Sequence, residues 1–176
     1  KSPAEIELLA ESCRLADRAH RIMHDTMAVG RSDYEIAQEA AIIASREILA
    51  EHGDTFRAPS RGFFQPWCGL PVALFMISGQ HTALPHGLPG ATGLQPGDLI
   101  ETFACVDAGG YQSELERTMF VGDPPADVRR RFDTMLELQE IAFAAVRPGR
   151  ALNEIEAEVT AAFDRLGVRD AQRHHT

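Results

Sequence analysis

Two Ser-x-x-Glu boxes, Ser2-Pro3-Ala4-Glu5 and Ser32-Asp33-Tyr34-Glu35, stand ahead of the first two apolar runs of the chain and commit its opening to a pair of helices. In such a box the serine hydroxyl caps a backbone N–H three residues on, and the glutamate returns to cap the serine's own N–H. Pro3 fits the first helical turn, where a missing N–H is harmless. Ile6, Leu8, Leu9, Leu15, Ala19, Ile22 and Met23 follow the first box, and Ile36, Ala40, Ile43, Ala44 and Ile48 follow the second, both at helical spacing. The pattern predicts one long amphipathic helix ending near Gly30 and a second closing at Gly53.

From Phe56 to Ser78 the texture changes to Gly, Pro and aromatics, and then to an apolar run, Val72 to Ile77, that reads as a buried strand. A Gly/Pro-rich loop leads to Pro96-Gly97. Asp98 to Asp107 and Gly110 to Val121 then read as two strands of a hairpin turning at Ala108-Gly109. Pro124 and Pro125 end the second strand and begin a helix carrying Phe132, Met135, Leu136, Leu138, Ile141, Phe143 and Val146. Asn153 with Glu156 predicts the cap of a last helix, which stops at Gly167.

The chain's 176 residues, 44% of them hydrophobic, suffice for one globular domain with a core. The apolar run Leu70 to Ile77 falls far short of the roughly 20 residues a membrane helix needs, and the start does not read as a signal peptide. With 17 basic against 26 acidic residues, the net charge of −9 repels phosphate backbones and anionic membranes, which excludes nucleic acid and membrane as partners. Cys13, Cys68 and Cys105 are odd in number and widely spaced, as reduced thiols in a soluble cytoplasmic protein would be.

The segment Ser78-Gly79-Gln80-His81-Thr82-Ala83-Leu84-Pro85-His86-Gly87 resembles the one that carries a substrate-binding histidine in the superfamily of creatinase, prolidase, aminopeptidase P and methionine aminopeptidase. Gly97-Asp98-Leu99-Ile100 resembles the start of that superfamily's central hairpin. Gly110 to Thr118 is similar to the return strand, with Glu116-Arg117-Thr118 as in creatinase. Lys1 to Glu5, the Arg147-Pro148-Gly149 turn and both helix pairs also fit, so the resemblance covers essentially the whole chain.

It implies an α+β pita-bread fold: two pseudo-symmetric helix-and-strand halves around a curved antiparallel sheet, with the active site on the concave face. Residues 1–176 would form a single catalytic domain lacking its last strands, without the family's N-terminal domain. Relatives continue beyond His174-His175-Thr176 with a Gly-His-Gly-like strand and two later glutamates. Relatives are commonly dimers, so a homodimer is expected.

A two-residue turn at Ala108-Gly109 would set Phe103 opposite Glu114 and Glu101 opposite Glu116, with all four on one face. In metal-dependent relatives, the positions matching Phe103 and Glu114 are aspartates bridging two divalent cations. A phenyl ring cannot ligate a metal. Creatinase, which needs none, keeps a histidine and a glutamate matching His86 and Glu116. The resemblance therefore implies His86 as a proton shuttle and Glu116 as the group binding a substrate nitrogen, with Glu101, Phe103 and Glu114 lining the substrate site. Three facing carboxylates repel one another and call for a cation, either a metal or a positively charged substrate.

The leading expectation is thus a hydrolase cleaving a C–N bond in a small amidine, guanidino or amide substrate without obligatory metal. The alternative is an Xaa-Pro peptidase using Mn, Co or Zn, held through Glu114 and Glu101, on short peptides. A second alternative is an inactive binding module. Arg117 and Thr118 read as ordering the strand, His81 as a surface residue or a support behind the site, and Phe63, Phe64 and Trp67 as packing anchors or a pocket wall.

Overall fold

The computed structural model describes residues 1–55, 72–84 and 87–171. Both serine boxes form as the sequence predicts. Ser2 accepts from the Glu5 N–H and Glu5 from the Ser2 N–H, opening α1 (Pro3–Thr26). Ser32 and Glu35 do the same for α2 (Asp33–His52), which closes on Gly53 at positive φ. α1 ends at Thr26, short of Gly30.

Three strands follow: β1 (Val72–Ser78), β2 (Leu99–Ala108) and β3 (Tyr111–Phe120). They form an antiparallel sheet in the order β1-β2-β3. Its register differs from the sequence expectation. Ala108 pairs with Tyr111, so the turn is Gly109-Gly110, one step later than predicted. Both glycines have positive φ, 62° and 91°. That is the combination a type I′ hairpin needs, and Ala108 could supply it only with strain. Asp107 secures the turn by accepting from the Gly110 N–H (2.7 Å) and from Gln112 Nε2 (3.2 Å).

Alternation divides the sheet into two faces. Val72, Leu74, Met76, Ile100, Ala104, Val106 and Ala108 turn to the helices. They pack with Leu15, Ala19 and Met23 of α1 and Ile36, Ala40, Ala44 and Ile48 of α2 in one core, joined by Leu115 and Met119. Small residues on α2 let the helix lie close to the strands. Two buried hydroxyls on this side are paired: Ser12 Oγ reaches the Val106 carbonyl at 2.6 Å, and the Thr102 hydroxyl donates to the Arg117 carbonyl at 3.0 Å. Thr102 has spent its one proton there, so at 2.7 Å it accepts from His20 Nε2–H, which assigns the tautomer of the neutral ring.

The chain divides into two compact units, 1–124 and 125–176. The second holds α3 (Ala126–Ala145) and α4 (Leu152–Arg165). The cap of α4 is Ala151, whose N–H is taken by Glu154, in place of the predicted Asn153/Glu156 pair. Within this unit Ala145, Ile155 and Val159 form a small core with Ala142 and Phe163. Met135, Leu136, Phe143 and Val146 are exposed. Two packed helices cover one stripe of each other, and the described residues of this unit include no strand to cover the rest.

Candidate functional site

The sheet face turned away from the helices carries the candidate site. Three rows cross it. Ile77 pairs with Glu101 and Glu101 with Thr118; Phe75 pairs with Phe103 and Phe103 with Glu116; Ala73 pairs with Cys105 and Cys105 with Glu114. The expected pairs, Phe103 with Glu114 and Glu101 with Glu116, are therefore corrected by two residues. A shift of two preserves the alternation, so Glu101, Phe103, Glu114 and Glu116 still share one face.

Phe103 has changed company as a result. It sits between Phe75 on one side and Glu116 on the other, while Glu114 lies diagonal to it beside the buried Cys105. Directly paired residues on one face have Cβ atoms about 5 Å apart. The phenyl pair and the Glu116 carboxylate thus make an apolar wall with an acid at its end. Glu101, Glu114 and Glu116 are all exposed. Water screens their repulsion, so the demand for a neutralising cation is weaker than the sequence suggested. Arg117 is exposed and its Nη1 donates to the Glu116 carbonyl at 2.6 Å, in keeping with a role in ordering the strand.

His86 lies outside the described residues, as do Phe63, Phe64, Trp67, His174 and His175. Gly87, next to His86 in the chain, is buried, and its N–H bonds the Leu84 carbonyl at 3.0 Å. A Cβ there would stand 2.6 Å from the His81 carbonyl oxygen and 3.3 Å from Ile77 Cδ1. Glycine is required for that approach, and it seats the chain after His86 against Ile77, in the row of Glu101.

Sequence reasoning missed Asp33. Read only as a filler of the second capping box, it is buried and accepts from the Gly90 N–H (2.7 Å), the Tyr34 N–H (2.8 Å) and Ser78 Oγ (3.2 Å). It thereby pins the end of β1 to the loop that follows His86. A short acid inside a helix's first turn was the available signal, since such a residue can serve backbone donors beyond its own helix. Asp33 and Ser78 also line a cavity of about 300 Å³ with Gly79, His81, Gly90 and Asp98. His81 is half-buried there. None of Glu101, Phe103, Glu114 or Glu116 lines this cavity.

Residues 7–176 match the model of metallopeptidase family M24. The chain belongs to that family. Among M24 relatives, the Xaa-Pro dipeptidase of Pyrococcus furiosus is 26% identical over 161 residues, covering 89% of this chain and 40% of that protein. The probable dipeptidase PepE of Mycobacterium bovis is 27% identical over 183 residues, covering 100% of this chain and 42% of its own. The chain thus spans well under half the length of these relatives. Among solved M24 structures, prolidase from Pyrococcus furiosus superposes with a TM-score of 0.79 at 24% identity, covering 99% of this chain and 46% of that one. Xaa-Pro dipeptidase from Bacillus anthracis superposes with a TM-score of 0.78 at 23% identity, covering 100% and 44%. The α+β pita-bread fold expected from the sequence is therefore present, in part of its full extent. No described helix is long and apolar enough to cross a membrane.

Membership of a metallopeptidase family does not support the expectation that no metal is needed, so the donors themselves must be tested. Phe103 offers no oxygen. Asp107 has one carboxylate oxygen bonded to the turn N–H and the other to Gln112. No group of three or more His, Cys, Asp and Glu able to hold an ion occurs among the described residues. The described donors do not fit a two-ion centre.

Proposed function

We propose that the open hairpin face belongs to a hydrolase that cleaves C–N bonds in small substrates, with short peptides of the Xaa-Pro kind as the leading class. The order of the two sequence expectations is reversed, because the relatives are named as dipeptidases. The observation that carries the site is the Phe103–Glu116 row: an exposed carboxylate beside an apolar wall, on the face left open by α1 and α2.

In this reading Glu116 holds a substrate nitrogen through a charge-assisted hydrogen bond, and Phe75 and Phe103 shield the carbon skeleton beside it. Glu101 and Glu114 orient the polar ends of the substrate. Water adds to the carbon of the C–N bond, and His86 takes its proton and passes it to the nitrogen that leaves, a task suited to an imidazole whose ordinary pKa is about 6.5. No step is routed through a metal, because the described donors do not build its site. Residues 1–176 act as part of one catalytic domain of a cytoplasmic homodimer.

A second reading, hydrolysis of an amidine or guanidino substrate without obligatory metal, is favoured by the phenyl group at position 103. One experiment separates them. The purified full-length protein is offered Xaa-Pro dipeptides and amidine or guanidino compounds, each with Mn, Co or Zn added and again after chelation. Dipeptide turnover supports the first reading, and the chelated arm shows whether that turnover draws on a metal. Chelator-resistant turnover of the amidine panel supports the second, and turnover of neither class overturns both.

A further inference from the structure

We infer that the β2–β3 hairpin of this M24 chain does not assemble a bridged pair of divalent cations and that its site works with one ion at most. The inference rests on the open hairpin face being the site, and it concerns the chain's own donors rather than its reaction.

Two cations held a few ångströms apart need carboxylates that bridge them, since each oxygen must offset charge as well as fill a coordination position. On this face β2 presents Glu101, Phe103, Cys105 and Asp107, and β3 presents Gln112, Glu114, Glu116 and Thr118. Asp107 is buried and engaged in the turn through both oxygens. Glu101 sits in the row of Ile77 and Thr118, one row beyond Phe103 and two beyond Cys105 and Glu114. In an extended strand two residues span roughly 6.6 Å, so Glu101 and Glu114 are separated by two such steps, about 13 Å along the strands. Their carboxylates cannot close on one pair of ions from there without the strand giving way.

Glu114 and Glu116 are one such step apart on β3 and can share at most a single ion between them. The place between the strands where a second bridging oxygen would come from is held by the Phe103 ring, which is flanked by Phe75 on β1. An ion there would lose hydration to two phenyl groups that return no lone pair. The aromatic pair is therefore an obstacle to the second cation as well as a missing ligand.

The test counts metal without reference to turnover. The full-length protein is saturated with Mn²⁺, freed of excess ion and analysed by inductively coupled plasma mass spectrometry, with electron paramagnetic resonance on the same sample. One ion or fewer per chain, without the multiline signal of a spin-coupled pair, is the expected result. Two ions per chain with a coupled signal would overturn the inference. Phe103→Asp restores a carboxylate at the obstructed position and should raise the count by about one ion per chain. A folded Phe103→Asp protein with an unchanged count would show that this residue is not the cause, and would overturn the inference too. The wild-type count stands alone if the variant does not fold. An inactive protein with one ion or fewer would sink the proposed function and leave this inference standing.

Discussion

Glu116 on β3 and His20, which reaches the hairpin from α1, show how two side chains divide the work. Glu116 is exposed on the face turned away from the helices, so its removal should bear on chemistry far more than on stability. Glu116→Gln is expected to lower kcat at least about 100-fold while the melting midpoint stays put, as kinetics and differential scanning calorimetry on one preparation would show. His20 is the reverse case. Half-buried and hydrogen-bonded to Thr102, it has its pKa held down, first by burial and then by the Arg117 guanidinium. His24 pushes in the same direction and Asp17 opposes it. The fold therefore prefers the neutral ring, and the unfolded chain binds the proton more readily. The stability from His20 is complete above the ordinary value of 6.5 and declines as pH falls below it toward the lowered folded value. His20→Gln keeps a donor for Thr102 and removes the titration, so the melting midpoint of this variant should lose the part of its pH dependence that sets in near 6.5.

At the scale of elements, the hairpin shows what a turn decides. Its two strands were legible from composition, but their alignment depended on which two residues take positive φ, and Gly109-Gly110 take it because neither has a Cβ. Gly110→Ala would force an alanine to φ 91° with open space around it, so the cost is backbone strain alone, about 1–2 kcal/mol. Chemical denaturation should show that loss. The helices were legible for a different reason. A capping box is a local device, complete within four residues, and Ser2/Glu5 and Ser32/Glu35 both form as read. The α4 start was misread because Asn153 and Glu156 imitate the pattern two residues late, and the sequence holds no cue that Ala151 takes the cap position.

For the molecule as a whole, acidic surface groups tie stability to pH. Arg14 reaches Glu11 at 2.7 Å and Glu51 at 3.1 Å, joining α1 to α2, and Arg18 also bonds Glu51. Hydrogen bonds hold both carboxyls below the ordinary glutamate value, chiefly from Arg14 at Glu11 and from Arg18 at Glu51. The Ser2 and Ser32 backbone N–H groups do the same for Glu5 and Glu35. Lowered folded values mean that these groups favour the fold while ionised. Their contribution is full above about 4.5 and is lost as pH falls through the lowered values. The melting midpoint should therefore drop as pH falls below about 4.5, in His20→Gln as in the wild type, because a different set of groups is titrating.

The sequence alone determined the helix pairs, the hairpin, the family and which four side chains share the open face, because capping, periodicity and two-residue alternation are properties of short stretches. Tertiary structure decided the rest. It set Phe103 against Phe75 and Glu116, gave Asp107 to the turn and made Asp33 the clamp of the loop after His86. The first two follow from the register, and the third from partners 45 or more residues away, since no local pattern encodes which distant donor a buried carboxylate will meet.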